Sequence, residues 1–173
     1  MELLGVPVYI SDNETRALMV EDEQIRSGLI GMLGKEVYVS GMLNKPLLAS
    51  YIFSDVIHAA KVNALVHPRV KEDFRRWVTA IQDKQAVGIE SAILLEAGFR
   101  DEVDIVVMVY APEEVRIARA MQRDKLSREA IVQRIRSQMK DEEKRKKADE
   151  IIVNDGVVPV LPQVINLLQK LLL

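Results

Sequence analysis

The residues of this chain that could do chemistry are one well-placed carboxylate, a run of arginines and a few isolated polar groups. Asp12 stands just past the apolar run "VPVYI", where a strand passes into a helix. Open α/β sheets bind ligands outside the carboxyl ends of their strands. A carboxylate there can take a proton from a bound hydroxyl. Aspartate also caps helices well, and local sequence leaves both roles open. Arg116, Arg119 and Arg123 stand at i, i+3 and i+7, on one helix face. Arg128 follows a short turn, and Arg134 and Arg136 lie on the next helix. Guanidinium forks match polyphosphate oxygens and stay charged at any relevant pH. They also make surface ion pairs of little energetic weight, and residue type alone does not separate the two uses.

Three further positions stand out. Glu96 follows "AILL" and can orient a substrate or serve as a plain surface acid. Asn154 ends the last apolar run, before Asp155-Gly156, either as a turn residue or as a polar contact to a base. His67 precedes Pro68 in "NALVHPRV". Proline pushes the residue before it out of the helical region, so this step is expected to break a helical block in two. The imidazole there suits binding or structure better than catalysis. Trp77 reads as core.

The elements that must position these groups follow from the apolar pattern. "MELLG" reads as the last turn of a helix closed by Gly5, and "VPVYI" as a short buried strand. Ser11 and Glu14 have capping-box spacing for a helix. Residues 21–34 read as helix, "KEVYVSGMLN" as an extended or turn segment, and 46–84 as helical with its break at His67-Pro68. "AVGIES" and "VDIVVMVY" have the β-branched texture of parallel strands buried on both faces. After Pro112 come a helix to about Arg123, the turn "DKLS" and a long charged helix to about Ala148. The strand "EIIVN" and the amphipathic helix "LPQVINLLQKLLL" close the chain. Strands alternating with helices predict an α/β fold, a three-layer parallel sheet. Residues 43–84 would be an inserted helical lobe, and an arginine-studded helical flap after a strand, over 119–138, is the form of a kinase lid.

Composition narrows the function classes. The 173 residues are 49% hydrophobic and 29% charged, with a net charge of −2. That is ordinary globular composition, read here as one domain, and it gives no support for binding to nucleic acid or membranes. The chain has no cysteine and two histidines, so thiolate catalysis is excluded and any metal site would be built from carboxylates. The start is no signal peptide, and a cytoplasmic setting is expected.

Taken together, "LGVPVYISDNETRALM", "LNKPLLASYIF", "NALVHPRV", "AILLEAGF", "MQRDKLSREAIVQRIRSQ" and "ADEIIVNDG" resemble the dephospho-coenzyme A kinase family in order and spacing. The resemblance runs over essentially the whole chain. It implies the P-loop NTPase-like fold, with a helical substrate lobe and a helical lid. It implies phosphoryl transfer from ATP, with Mg²⁺, to the ribose 3′-hydroxyl of dephospho-coenzyme A. By the same resemblance Asp12 is the base; Arg119, Arg123, Arg134 and Asn154 serve ATP and the lid; and Lys45, His67 and Glu96 serve the acceptor. No residue is assigned to a metal, and a monomer or weak homo-oligomer is expected.

The sequence departs from the family in places. Lys45 stands where the family often has arginine, and Ala92 replaces a proline. Ile10 and Ser11 replace the first two residues of an Asp-Ala-Asp motif. No G-x-x-x-x-G-K-[ST] occurs; "GMLGKEV" only superficially resembles it, with Lys35 followed by Glu36. The expectation is a chain that lacks an upstream strand and phosphate loop. The alternatives are then an inactive binding module or a related nucleotide or nucleoside kinase.

Overall fold

The run "VPVYI" forms strand β1, Val8–Ile10, and the chain enters helix α1, Ser11–Glu21, with no loop between them. A computed structural model describes residues 1–172, in two compact units, residues 1–91 and the chain from Ala92 on. Ahead of β1, Glu2–Leu4 is a turn of 3₁₀ helix closed by Gly5. The capping box predicted from Ser11 and Glu14 does not form. Ile10 holds the cap position without a side-chain bond, and Ser11 is already helical and buried. Strand pairing fixes the backbone through Ile10 and so leaves no residue free to cap.

Helix α2, Glu23–Leu33, is set off from α1 by Asp22, whose carboxylate accepts from the backbone N–H of Gln24 and Ile25 at 3.0 and 2.9 Å. The same carboxylate accepts from Nε and Nη2 of Arg69 at 2.9 and 2.8 Å. These bonds hold the Asp22 carboxyl below the usual carboxylate range against the opposing effect of burial. Asp22→Ala is expected to lose about 1 kcal/mol from the cap alone, a fall in melting temperature of about 2–4 °C. A carboxylate with a depressed folded pKa gives stability that is present above its unfolded pKa and lost as pH falls through the folded one. Thermal melts of both proteins should therefore converge as the pH drops below about 4; a gap that persists in acid would refute the ionic part.

The break expected at His67-Pro68 falls elsewhere. Helix α3 is Lys45–Ser54 and α4 is Val56–Ala80, unbroken through Pro68. The interruption is Asp55, extended in backbone, whose carboxylate accepts from the N–H of Ile57. An interior proline costs about 3 kcal/mol. Val62, Val66, Val70 and Phe74, a buried stripe at i, i+4 spacing that brackets Pro68, offsets that cost. Helices α2 and α4 approach so closely that a Cβ on Gly28 would lie 2.5 Å from a methyl of Leu65.

"KEVYVSGMLN" forms a hairpin, β2 (Tyr38–Val39) with β3 (Met42–Leu43), turning at Ser40 and Gly41, both of positive φ. Strand β4, Gly88–Glu90, pairs in parallel with β1 in the register Val8↔Gly88 and Ile10↔Glu90.

In the second unit β5, Val107–Tyr110, pairs in parallel with β6, Glu150–Val153. Val109 is 62% exposed, so β5 is not buried on both faces as its apolar run predicted. Helices α5 (Glu113–Asp124), α6 (Arg128–Arg136), α7 (Asp141–Lys147) and α8 (Val160–Leu172) complete it. The single long charged helix expected up to Ala148 is thus two, α6 and α7. Glu96 accepts the Met139 N–H at 2.8 Å, and the Gln138 N–H donates to the Ile135 carbonyl, three residues back instead of four, so the helical ladder stops there. Ile117, Ile131, Ile152, Leu167 and Leu168 are buried, and Gln163 of α8 bonds both backbone groups of Val153 on β6.

Candidate active site

In the first unit the site is built on strand ends. Asp12 is exposed in the first turn of α1, two residues beyond Ile10. Its carboxylate has no hydrogen-bond partner among the described residues. The alternative role of Asp12 as a helix cap is not the one taken, because Ile10 is the cap residue. An anion in the first turn still complements the helix dipole. Because Ile10 pairs with Glu90, two carboxylates issue from the carboxyl ends of adjacent parallel strands. Burial raises the Glu90 carboxyl above its ordinary range, and the charge of Asp12 adds to the shift.

The strand that carries Asp12 is firmly anchored. Tyr9 is 1% exposed and packs edge-on against Phe74 and Trp77, with ring centroids 5.3 and 5.5 Å away. Its hydroxyl donates to Asp73 at 2.7 Å, and burial with that bond pushes the phenol up. Trp77, half-buried, packs on the rings of Tyr9 and Phe74.

His67 lies inside α4, half-buried, with no hydrogen-bond partner among the described residues. Burial, with Lys71 nearby, holds the imidazole below its ordinary range and so neutral at neutral pH. It is no hinge, since the helix runs through it. Lys45 is the exposed first residue of α3. Lys35 opens a 3₁₀ turn, Lys35–Val37, directly after α2. The string "GMLGKEV" therefore joins a helix to a hairpin and is not a strand-to-helix phosphate loop.

In the second unit α5, a three-residue turn and α6 form a helical hairpin. Lys125 closes α5 in the left-handed conformation, and Ser127 caps α6. The arginines divide. Arg116 is spent on the Ala111 carbonyl and Asp141, and Arg128 makes a forked pair with Glu114. Arg119 donates to the carbonyl of Asn154 at 2.7 Å, which brings two of the predicted residues together at the end of β6. Arg123 and Arg134 both bond one carboxylate, Asp124. Glu96 is held by Met139 and lies 3.5 Å from the Lys144 ammonium; it belongs to the second unit, Lys45 and His67 to the first.

Glu90 and Asp124 escaped the sequence reading. Only parallel pairing puts Glu90 beside the strand end that carries Asp12. Asp124 stood in "MQRD" as one more charge on a charged helix.

This architecture is that of a P-loop kinase. It matches the crystal structure of TT1252 from Thermus thermophilus with a TM-score of 0.84 at 30% identity, over 99% of this chain and 87% of that one. A dephospho-CoA kinase from Campylobacter jejuni, 22% identical, shares the fold with a TM-score of 0.69 over 98% of this chain and 86% of that one. The family described as dephospho-CoA kinase (CoaE) matches residues 1–159. Dephospho-CoA kinase of Bacteroides fragilis (strain YCH46) is 52% identical over 168 residues, 97% of this chain and 82% of the relative. That of Porphyromonas gingivalis is 37% identical over 167 residues, 96% and 82% of the two chains. The chain belongs to the dephospho-CoA kinase family. The family match begins at residue 1 and gives no support to the expected loss of an upstream strand and loop.

Proposed function

We propose that the chain transfers the γ-phosphoryl group of ATP to the ribose 3′-hydroxyl of dephospho-coenzyme A. The observation that carries this reading is the 52% identity to a dephospho-CoA kinase over 97% of the chain. In this reading Asp12 accepts the proton of the attacking hydroxyl, and its unpartnered carboxylate suits that task. Phosphoryl transfer asks of the protein mostly positioning and charge stabilisation. Arg119, Arg123 and Arg134 supply guanidinium donors to the phosphates, with Asn154 beside them. Lys45, His67 and Glu96 serve the acceptor.

Mg²⁺ neutralises charge on the phosphates when it is bound with ATP. It takes one or two carboxylates plus phosphate oxygens, and Glu90, at the end of the strand paired with β1, is the carboxylate that would hold it. A cytoplasmic protein, monomeric or weakly self-associating, suits two small soluble substrates. The test is to incubate the chain with ATP and dephospho-coenzyme A and locate the new phosphate by ³¹P NMR. Phosphate on the ribose 3′ position supports the reading; phosphorylation of other nucleosides or nucleotides in its place, or none, rejects it.

His67→Ala is expected to weaken acceptor binding by roughly tenfold at most, the worth of one neutral hydrogen bond, and to leave ATP binding unchanged. Separate calorimetric titrations of the two ligands check this. Weaker ATP binding would remove His67 from the acceptor side.

A further inference from the structure

We propose that Asp124 is a positioning residue that anchors Arg123 and Arg134 to one carboxylate and leaves both with open N–H groups for the phosphates of ATP. This rests on the reading of α5 and α6 as the nucleotide-binding hairpin. Asp124 is the last residue of α5, where the helix dipole disfavours an anion, so its carboxylate is not there for the helix. What it does is bind arginines. Arg123 donates from Nε and Nη2 at 2.7 and 3.1 Å, and Arg134 donates from Nη1 at 3.0 Å. The anchor side chain is 21% exposed, whereas those of Arg123 and Arg134 are 75% and 56% exposed. The pair is thus tethered at a sheltered point and presented to solvent.

The donor inventory supports the same role. A guanidinium has five N–H groups. Nη1 of Arg123, and Nε and Nη2 of Arg134, have no partner among the described residues. Each arginine can therefore bond a phosphate without giving up Asp124. The shared carboxylate also lies between two like charges that would otherwise repel, and restricts long side chains that would otherwise lose freedom on binding ATP. The hairpin does not depend on this carboxylate. Buried Ile117 and Ile131, the Ser127 cap and the Arg128–Glu114 fork hold it separately.

The test is Asp124→Asn in the full chain, with ATP and dephospho-coenzyme A titrated separately and steady-state rates measured. Loss of the anchor is expected to raise KM and Kd for ATP roughly ten- to hundredfold, the scale of a small misplacement of binding groups. Acceptor binding should be unchanged, and kcat at saturating ATP should fall much less than kcat/KM. The triple variant Asp124→Asn, Arg123→Ala, Arg134→Ala should be little worse than Arg123→Ala, Arg134→Ala, because with both arginines gone the anchor has nothing left to position. ATP affinity that is unchanged or tighter in Asp124→Asn overturns the proposal, and so does a further loss of ATP affinity in the triple variant. If the Asn variant does not fold, Asp124→Ser, which also removes the charge, is read in the same way. Arg123→Ala and Arg134→Ala serve as the control. If both leave ATP binding unaltered, the nucleotide reading of the hairpin fails as well; if both weaken it while Asp124→Asn does not, only the anchor is refuted.

Discussion

Asp12→Asn is expected to lower kcat about 10²–10⁴-fold, the usual contribution of a positioned general base, and to leave the binding of both substrates nearly unchanged. The substitution preserves shape and removes only the ability to accept a proton. Three features make the outcome clean. The carboxylate has no hydrogen-bond partner among the described residues, so nothing is left unsatisfied. The cap position of α1 belongs to Ile10, so the helix start is retained. The strand beneath is held by Tyr9 through Asp73, Phe74 and Trp77, so the site should not shift. Steady-state kinetics with a melting curve on the same preparation decide it. An unchanged kcat with a lower melting temperature would make Asp12 a structural residue.

Arg123→Ala is expected to lower kcat/KM for ATP by about 10²–10³, the cost of removing one preorganised donor to transition-state charge. Dephospho-coenzyme A binding should stay intact. Arg119 and Arg123 are one turn apart on α5, at i, i+4, and so share a side. Arg123 is the more exposed partner of its pair with Asp124, and such a pair contributes little to stability. The loss should therefore appear in nucleotide use rather than in folding. Closure of the hairpin over the phosphates would exclude water and strengthen each of these contacts. Should the variant bind the acceptor poorly and ATP normally, the division of labour between the two sets of helices would be wrong.

The local signals were legible where one residue type decides the conformation. Gly5 closes the first turn as expected, and "VPVYI" and "EIIVN" are strands. They failed where two local preferences competed with packing. Proline inside a buried stripe lost to the stripe, and α4 runs through Pro68. Ser11 had the spacing of a cap, but pairing of Ile10 with Glu90 carried the extended backbone right up to it. The charged run after Arg128 had helical propensity throughout, and one bond from Glu96, distant in sequence, divided it.

The sequence by itself determined the α/β alternation, the strand-end placement of Asp12 and the clustering of arginines on neighbouring helices. Each of these is a property of periodicity or of a few adjacent residues. Only the tertiary structure decided which arginines are spent on carboxylates. It alone showed that Glu90 stands beside the end of β1, and that Asp124 gathers Arg123 and Arg134. The reason is physical: an ion pair or a parallel register joins residues far apart in the chain or on separate helices, and charge alone does not say which partner a flexible arginine finds.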